Sequence, residues 1–280
     1  MTACLVVCLA LGATQAGAPV PVPATVLAAA KAYGFTDAEV QRMLAGEVLA
    51  KPLPERSDKE LAGVVAVLMP KPLSEFTDIT LEGKLLNLDS AIRSLHVWKP
   101  DESADGAFAG MPVDAAQQAM LKGRYEAYRR NGLRVVRPAG DLLSVAINET
   151  SSLNRRPGYA KALLNFPLDS VPGMEHRFFV YQQDVEGRPA LILSHRSAVR
   201  GPHDALITEQ RYFVSEGYDC RFIASDCYEV PGGTLMFYAS RVFTDRVAGV
   251  GSVLKHRIGR ARLLADVAAN QKRIREQLRP

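Results

Sequence analysis

Histidine is the side chain whose ordinary pKa lets it act as acid, base or metal ligand near neutrality. The chain has five, none in HxxxH, HExxH or HxH spacing, so a metal site would need ligands from distant segments and none is expected. His195 lies in an apolar run beside Leu193 and His176 opens another; each reads first as a hydrogen-bonded structural histidine. The stretch GVGSV at 249–253 lacks the second glycine and the strand-turn-helix setting of a nucleophile elbow. No GxGxxG follows a strand-like run and no Walker sequence occurs, which disfavours nucleotide chemistry and leaves no cofactor expected. Cys220 and Cys227 lie in the body of the chain. Along one extended strand they would stand roughly 23 Å apart, far beyond disulfide reach, so they read as separate thiols.

The remaining candidates are charges placed inside strand-like runs: Arg177, Arg211 and Arg241, together with His195, and with Glu175, Glu209 and Asp226 close by. A charge on an inward strand face must be paired or must meet a polar head group, because burying it alone costs several kcal/mol. Arg241 shares strand parity with Phe237 and Phe243, which on one reading would put it at the polar end of an apolar pocket, suited to a carboxylate or phosphate. The alternative is an outward face, or a pair with a strand neighbour such as Glu209.

The chain that must position these residues is 280 residues long, enough for one large domain or two small ones. An apolar fraction of 48% with 23% charged residues argues against disorder. A net charge of +4, spread over 34 basic and 30 acidic side chains, is too small to imply a nucleic-acid partner. The densest basic segment, QKRIREQLRP at 271–280, reads as a solvated helix end, with transient contact to an anionic membrane surface as the alternative. The opening MTACLVVCLALGATQAGAPVPVPA resembles a secretory signal, with Ala16-Gly17-Ala18 as an A-x-A cleavage site, although no Lys or Arg precedes its apolar run. A signal peptide at 1–18, a leader at 19–35 and a periplasmic or secreted location are therefore expected.

Thr36 and Asp37 are capping candidates for a helix with Val40, Met43 and Leu44 on one face. An apolar, β-branched run at 61–69 predicts a buried strand, followed at once by a short helix with Pro72 in its first turn and Leu73 and Phe76 inward. Residues 99–113 read as an exposed loop. Asp114 caps a helix with an inward stripe of Ala116, Met120, Tyr125 and Tyr128, ended by Asn131-Gly132, and further helical stretches run to residue 165. A meander follows, with strands predicted at 176–185, 189–199, 206–214, 220–228 and 234–244; connections this short join antiparallel neighbours. Its last strand feeds a long helix capped by Thr244 or Asp245, with Val247, Val250, Leu254, Ile258, Ala261, Ala265 and Ala268 at three- and four-residue spacing. Gly249, Gly251 and Gly259 inside that helix each cost about 1 kcal/mol relative to Ala. Such a loss makes sense where the backbone lies close to the sheet or to a bound molecule.

An early strand, a short helix, a curved antiparallel sheet and a long C-terminal helix gripped against it make an α+β helix-grip arrangement. On ELAGVVAVLMPKPLSEFTDIT, taken as first strand and following helix, and GGTLMFYASRVFTDRVAGVGSVLKHRIGR, taken as last strand and closing helix, the chain resembles the START-like superfamily of lipid-transfer and hydrophobic-ligand proteins. With RYEAYRRNGL and EHRFFVYQQ between them, these segments look more closely like a group of uncharacterised exported bacterial proteins. The resemblance covers residues 36–278, makes 36–280 a single START-like domain, and leaves a mostly helical insertion at about 95–172. It implies a cavity between sheet and helix for a lipid or other hydrophobic small molecule. The ligand-binding candidates are then Tyr181, His195, Arg211, Phe237, Arg241, Gly249, Gly251 and Leu254. The first functional expectation is non-catalytic binding or carriage in the cell envelope. One alternative is an enzyme of the same fold, a cyclase or hydrolase with His195, Tyr181 or Tyr238 as acid or base; another is an interaction module with a filled core. The oligomeric state is not legible.

Overall fold

The computed structural model describes residues 21–98, 108 and 111–279. The expected signal at 1–18, and residues 99–107 and 109–110 of the expected loop, lie outside the described residues. The chain opens with α1 (Ala24–Ala32) and α2 (Asp37–Leu44). Thr36 caps α2 through a capping box: its hydroxyl accepts from the Glu39 amide, and the Glu39 carboxylate accepts from the Thr36 amide at 2.7 Å. Such a cap is worth about 1 kcal/mol. Part of the expected leader is thus α1, whose Val26, Ala29 and Ala30 are buried in a cluster with Val64, Leu235 and Phe237.

Then come β1 (Leu49–Pro52), β2 (Glu60–Met69), α3 (Leu73–Leu81) and β3 (Ile92–Trp98). Four helices follow: α4 (Ala115–Asn131), α5 (Ala139–Asn148), α6 (Ser151–Asn154) and α7 (Pro157–Leu164). The meander is β4 (Glu175–Val185), β5 (Arg188–Arg200), β6 (Asp204–Val214), β7 (Cys220–Val230) and β8 (Gly233–Phe243), each end within two residues of its expected place. The chain closes with α8 (Ser252–Gln277). All pairs are antiparallel, in the order β1-β2-β8-β7-β6-β5-β4-β3, so β2 zips onto the last strand of one curved eight-stranded sheet.

Strand alternation gives this sheet two faces, and both are covered. The inner face presents Val67, Met69, Ile207, Cys227 and Met236 to Phe76 of α3 and Ile274 of α8. The outer face presents Phe178, Val180, Leu193, Phe222 and Phe243 to Tyr125 and Tyr128 of α4, Leu143 of α5 and Leu163 of α7. The helical insertion therefore backs the sheet, and it begins after β3, not at Leu95. Cys220 lies in the outer cluster and Cys227 in the inner one, both as free thiols.

The closing helix differs most from expectation. Gly249 and Gly251 have φ of 77° and 76°, in the left-handed region, and form the turn ahead of Ser252. They are not helix-interior residues, and a Cβ on either would meet only open space. Gly259 does mark close helix-to-sheet contact: a Cβ there would lie 2.9 Å from Leu61 Cδ1. On the sheet side, a Cβ on Gly63 of β2 would clash with Leu264 Cδ2 of the helix. Of the expected apolar stripe Val247 is buried but Val250, Leu254 and Ile258 turn outward, 97%, 52% and 44% exposed, while α8 buries Val267, Gln271 and Ile274.

Candidate functional site

Between the inner sheet face and the second half of α8 lies an open-sided cavity of about 560 Å³, flanked by α3 and by residues 85–91. This volume falls in the range of roughly 300–1,000 Å³ typical of small-molecule sites. Its apolar wall comes from Phe76, Leu85 and Leu86, from Ile207, Ile223 and Met236 on the sheet, and from Leu263, Val267 and Ile274 on α8. The helix residues here are mixed, since Asn270, Gln271 and Arg273 also line the space. A helix that faces a cavity does not need a uniformly apolar inward stripe, and the apolar periodicity of its first half misled the sequence reading for that reason.

The polar end is built from charges on neighbouring strands. Arg196 of β5 and Glu209 and Arg211 of β6 share the inner face, their side chains 5%, 6% and 6% exposed. Glu209 accepts from Arg196 Nη2 through one oxygen; through the other it accepts from Arg211 Nε at 2.9 Å and Tyr181 Oη at 3.2 Å. Arg196 Nη1 also donates to the Thr80 carbonyl at the end of α3. Arg211 Nη1 donates to Gln183 Oε1 and Tyr218 Oη, both at 2.9 Å. Burial alone would raise the Glu209 carboxyl, but the two guanidiniums overcome it and hold the pKa down to about 2. Arg211 stays charged: burial opposes the charge, and Tyr181, Tyr218 and Glu209 favour it enough to push its pKa well up. Arg221 of β7 pairs in register with Arg211 on the same wall, and its Nε donates to Ser240 Oγ at 2.9 Å.

Of the residues singled out from sequence, the structure brings Arg211 and Tyr181 together at this end, Arg211 on the cavity wall and Tyr181 behind Glu209. The others lie elsewhere. Phe237 is on the outer face, where its ring stacks 5.7 Å from Tyr33 and sits 6.0 Å from Phe35. Arg241 is also on the outer face, ion-paired with buried Glu60 and donating to the carbonyls of Pro54 and Glu149. That corrects both its placement in the pocket and the suggested pairing with Glu209. Gly249, Gly251 and Leu254 precede or begin α8, away from the cavity-lining turns 263–274.

His195 belongs to a hydrogen-bonded chain on the outer face. His195 Nδ1 lies 2.9 Å from Tyr128 Oη, Tyr128 donates to Gln210 Oε1 at 2.9 Å, and His176 Nδ1 lies 2.9 Å from His195 Nε2. With Tyr128 donating onward, His195 donates to Tyr128 and His176 donates to His195, so both rings are satisfied in the neutral form. Burial keeps His195 well below its usual range; burial, aided by the charge of Arg177, puts His176 at about 4. Among the described residues no group of three or more His, Cys, Asp or Glu is placed to hold a metal ion.

Sequence reasoning missed Arg196, Arg221, Tyr218 and Gln183 as site residues. The signal that finds Arg196 and Arg221 is strand parity: with Glu209 and Arg211 they fall on the face shared with Met236 and Tyr238 of β8. Parity on β8 alone could not say which of its two bulky faces meets the helix.

No protein-family model matches the chain, and no curated protein matches it. Among solved structures, one described as "Crystal structure of Ara h 8.0201" is similar with a TM-score of 0.35 and 9% sequence identity, over 78% of this chain and 97% of that one.

Proposed function

We propose that this chain is a START-like carrier that binds a hydrophobic or amphipathic small molecule in the cavity between its sheet and α8. The observation that carries the reading is the cavity itself, about 560 Å³ with an apolar wall and one polar end. A core packed for support alone leaves few voids larger than a water molecule. Carriage is favoured over catalysis because His195, the side chain best suited to proton transfer, lies on the opposite face of the sheet in a neutral, internally satisfied chain. The Tyr181 hydroxyl is spent on Glu209, and burial pushes its pKa well up.

Export to the cell envelope is part of the proposal and rests on the sequence pattern at 1–18. Among the described residues no helix is long and apolar enough to cross a membrane. The binding test is a titration with a fluorescent fatty acid, which should saturate at one site per chain. Ile223→Trp, which fills the apolar wall, should abolish binding while the urea midpoint stays close to that of the parent. A parent protein without saturable binding would favour the filled-core interaction module instead.

A further inference from the structure

We propose that the ligand of this cavity is an amphipathic anion whose carboxylate or phosphate lies between Arg211 and Arg221, with its tail along the apolar wall. The inference deepens the carrier reading and rests on it.

The first observation is the register of β6 on β7, which sets Arg211 directly opposite Arg221 on the cavity face. Like charges opposed across a ladder destabilise a sheet unless something lies between them. The second is a shortage of carboxylates. Arg196 and Arg211, both buried, share the single carboxylate of Glu209. Arg221 has Ser240 as its hydrogen-bond partner and no ion pair among the described residues. The acidic groups around the rest of the cavity do not make up the difference. Asp89 is paired with Arg273, Asp184 with Arg93 and Glu186 with Arg246, and Asp266 lines the cavity from α8 as an exposed residue.

The third observation is free donor capacity. Arg211 uses Nε and Nη1, and its Nη2 has no partner among the described residues. Tyr218 accepts from Arg211, which leaves its own O–H to donate, and Tyr238 lines the same wall. Guanidinium groups on adjacent strands with phenol hydroxyls beside them match the planar, multiply accepting oxygens of a carboxylate or phosphate. Ile223 and Met236, on neighbouring strands of the same wall, begin the apolar surface that a tail would follow.

Three ligands with one tail and different heads test this: dodecanoate, dodecyl phosphate and dodecanol, each competing with the fluorescent fatty acid. Both anions should displace the probe about tenfold or more below the concentration dodecanol needs, as expected for charge-assisted hydrogen bonds in a buried site. Arg221→Gln should erase that preference and leave dodecanol unchanged, with a urea midpoint equal to or above the parent's because a like-charge contact is relieved. Inorganic phosphate alone should leave the probe in place; displacement by phosphate alone would overturn the amphipathic class. Equal affinity of all three compounds, or an anion preference that survives in Arg221→Gln, would overturn the proposal while the carrier reading stands. Failure of all three, together with failure of the probe to bind, would remove both. Whichever anion wins distinguishes a carboxylate ligand from a phosphate one.

Discussion

Glu209 is the residue on which the polar end depends, because one carboxylate holds two buried guanidiniums in place. Replacing it by Gln leaves two cations without a counter-charge in a dry setting, a change that costs about 3–5 kcal/mol when a buried pair is broken. Glu209→Gln is therefore expected to lower the urea midpoint sharply, and the loss should persist in high salt because the pair is shielded from solvent. A second residue-scale prediction concerns the outer face. His176 and His195 have folded pKa values below the unfolded value of about 6.5, His176 at about 4. The unfolded chain then binds more protons as the pH falls below about 6.5, so stability declines through the window down to about 4. Each histidine contributes up to about 1.4 kcal/mol per pH unit. Glu209, held at about 2, contributes stability that is complete above about pH 4.5 and is lost only below it, at the acid end of the histidine window and beyond. Urea midpoints at pH 7, 5.5 and 4.5 should fall less steeply in His176→Gln than in the parent; parallel curves would show that the histidine chain does not set the acid limit.

At the scale of elements, α8 separates two jobs that its sequence pattern ran together. Its first half carries Leu254 and Ile258 outward, so Leu254→Glu and Ile258→Glu should each change stability by no more than about 0.5 kcal/mol. Contact with the sheet is made where small residues allow it, at Gly259 against Leu61 and at Leu264 over Gly63. Gly63→Val should overpack that contact and cost about 1–3 kcal/mol; a midpoint unchanged from the parent would mean that the helix rides higher than described. The meander strands were legible because alternation and turn chemistry agree over ten or more residues. Two strands were not. β1 is four residues long and ends in Pro52, and β3, with Arg93, Ser94 and His96 among its residues, is a half-buried edge strand whose pattern resembles a polar loop. The helix start was misplaced because Val247 and Val250 continue the apolar periodicity in sequence, while Gly249 and Gly251 beside them adopt left-handed geometry in the fold.

At the scale of the whole molecule, a single sheet is buried on both sides, by the helical insertion behind and by α3 and α8 in front, and the cavity opens only on the front. That double coverage explains which part of the site was readable. Charges inside strands were recognisable as unusual, and Arg211 was picked out on that ground. Which face they occupied depends on tertiary pairing between β2 and β8 and on the insertion docking opposite, neither of which leaves a local signature. The idea of an arginine facing an anionic head group was accordingly attached to Arg241 on the outer face, whereas Arg211 and Arg221 hold the inner one. Whether the ligand occupies the inner face can be read by photocrosslinking. A fatty acid carrying a diazirine on its tail, irradiated in complex with the full chain and mapped by peptide mass spectrometry, should mark the inner-face residues Ile223 and Met236 and the α8 turns at 263–274. Adducts concentrated instead at Phe237, His195 or the exposed Leu254 stripe, or label that excess unlabelled fatty acid does not displace, would contradict binding at the inner face.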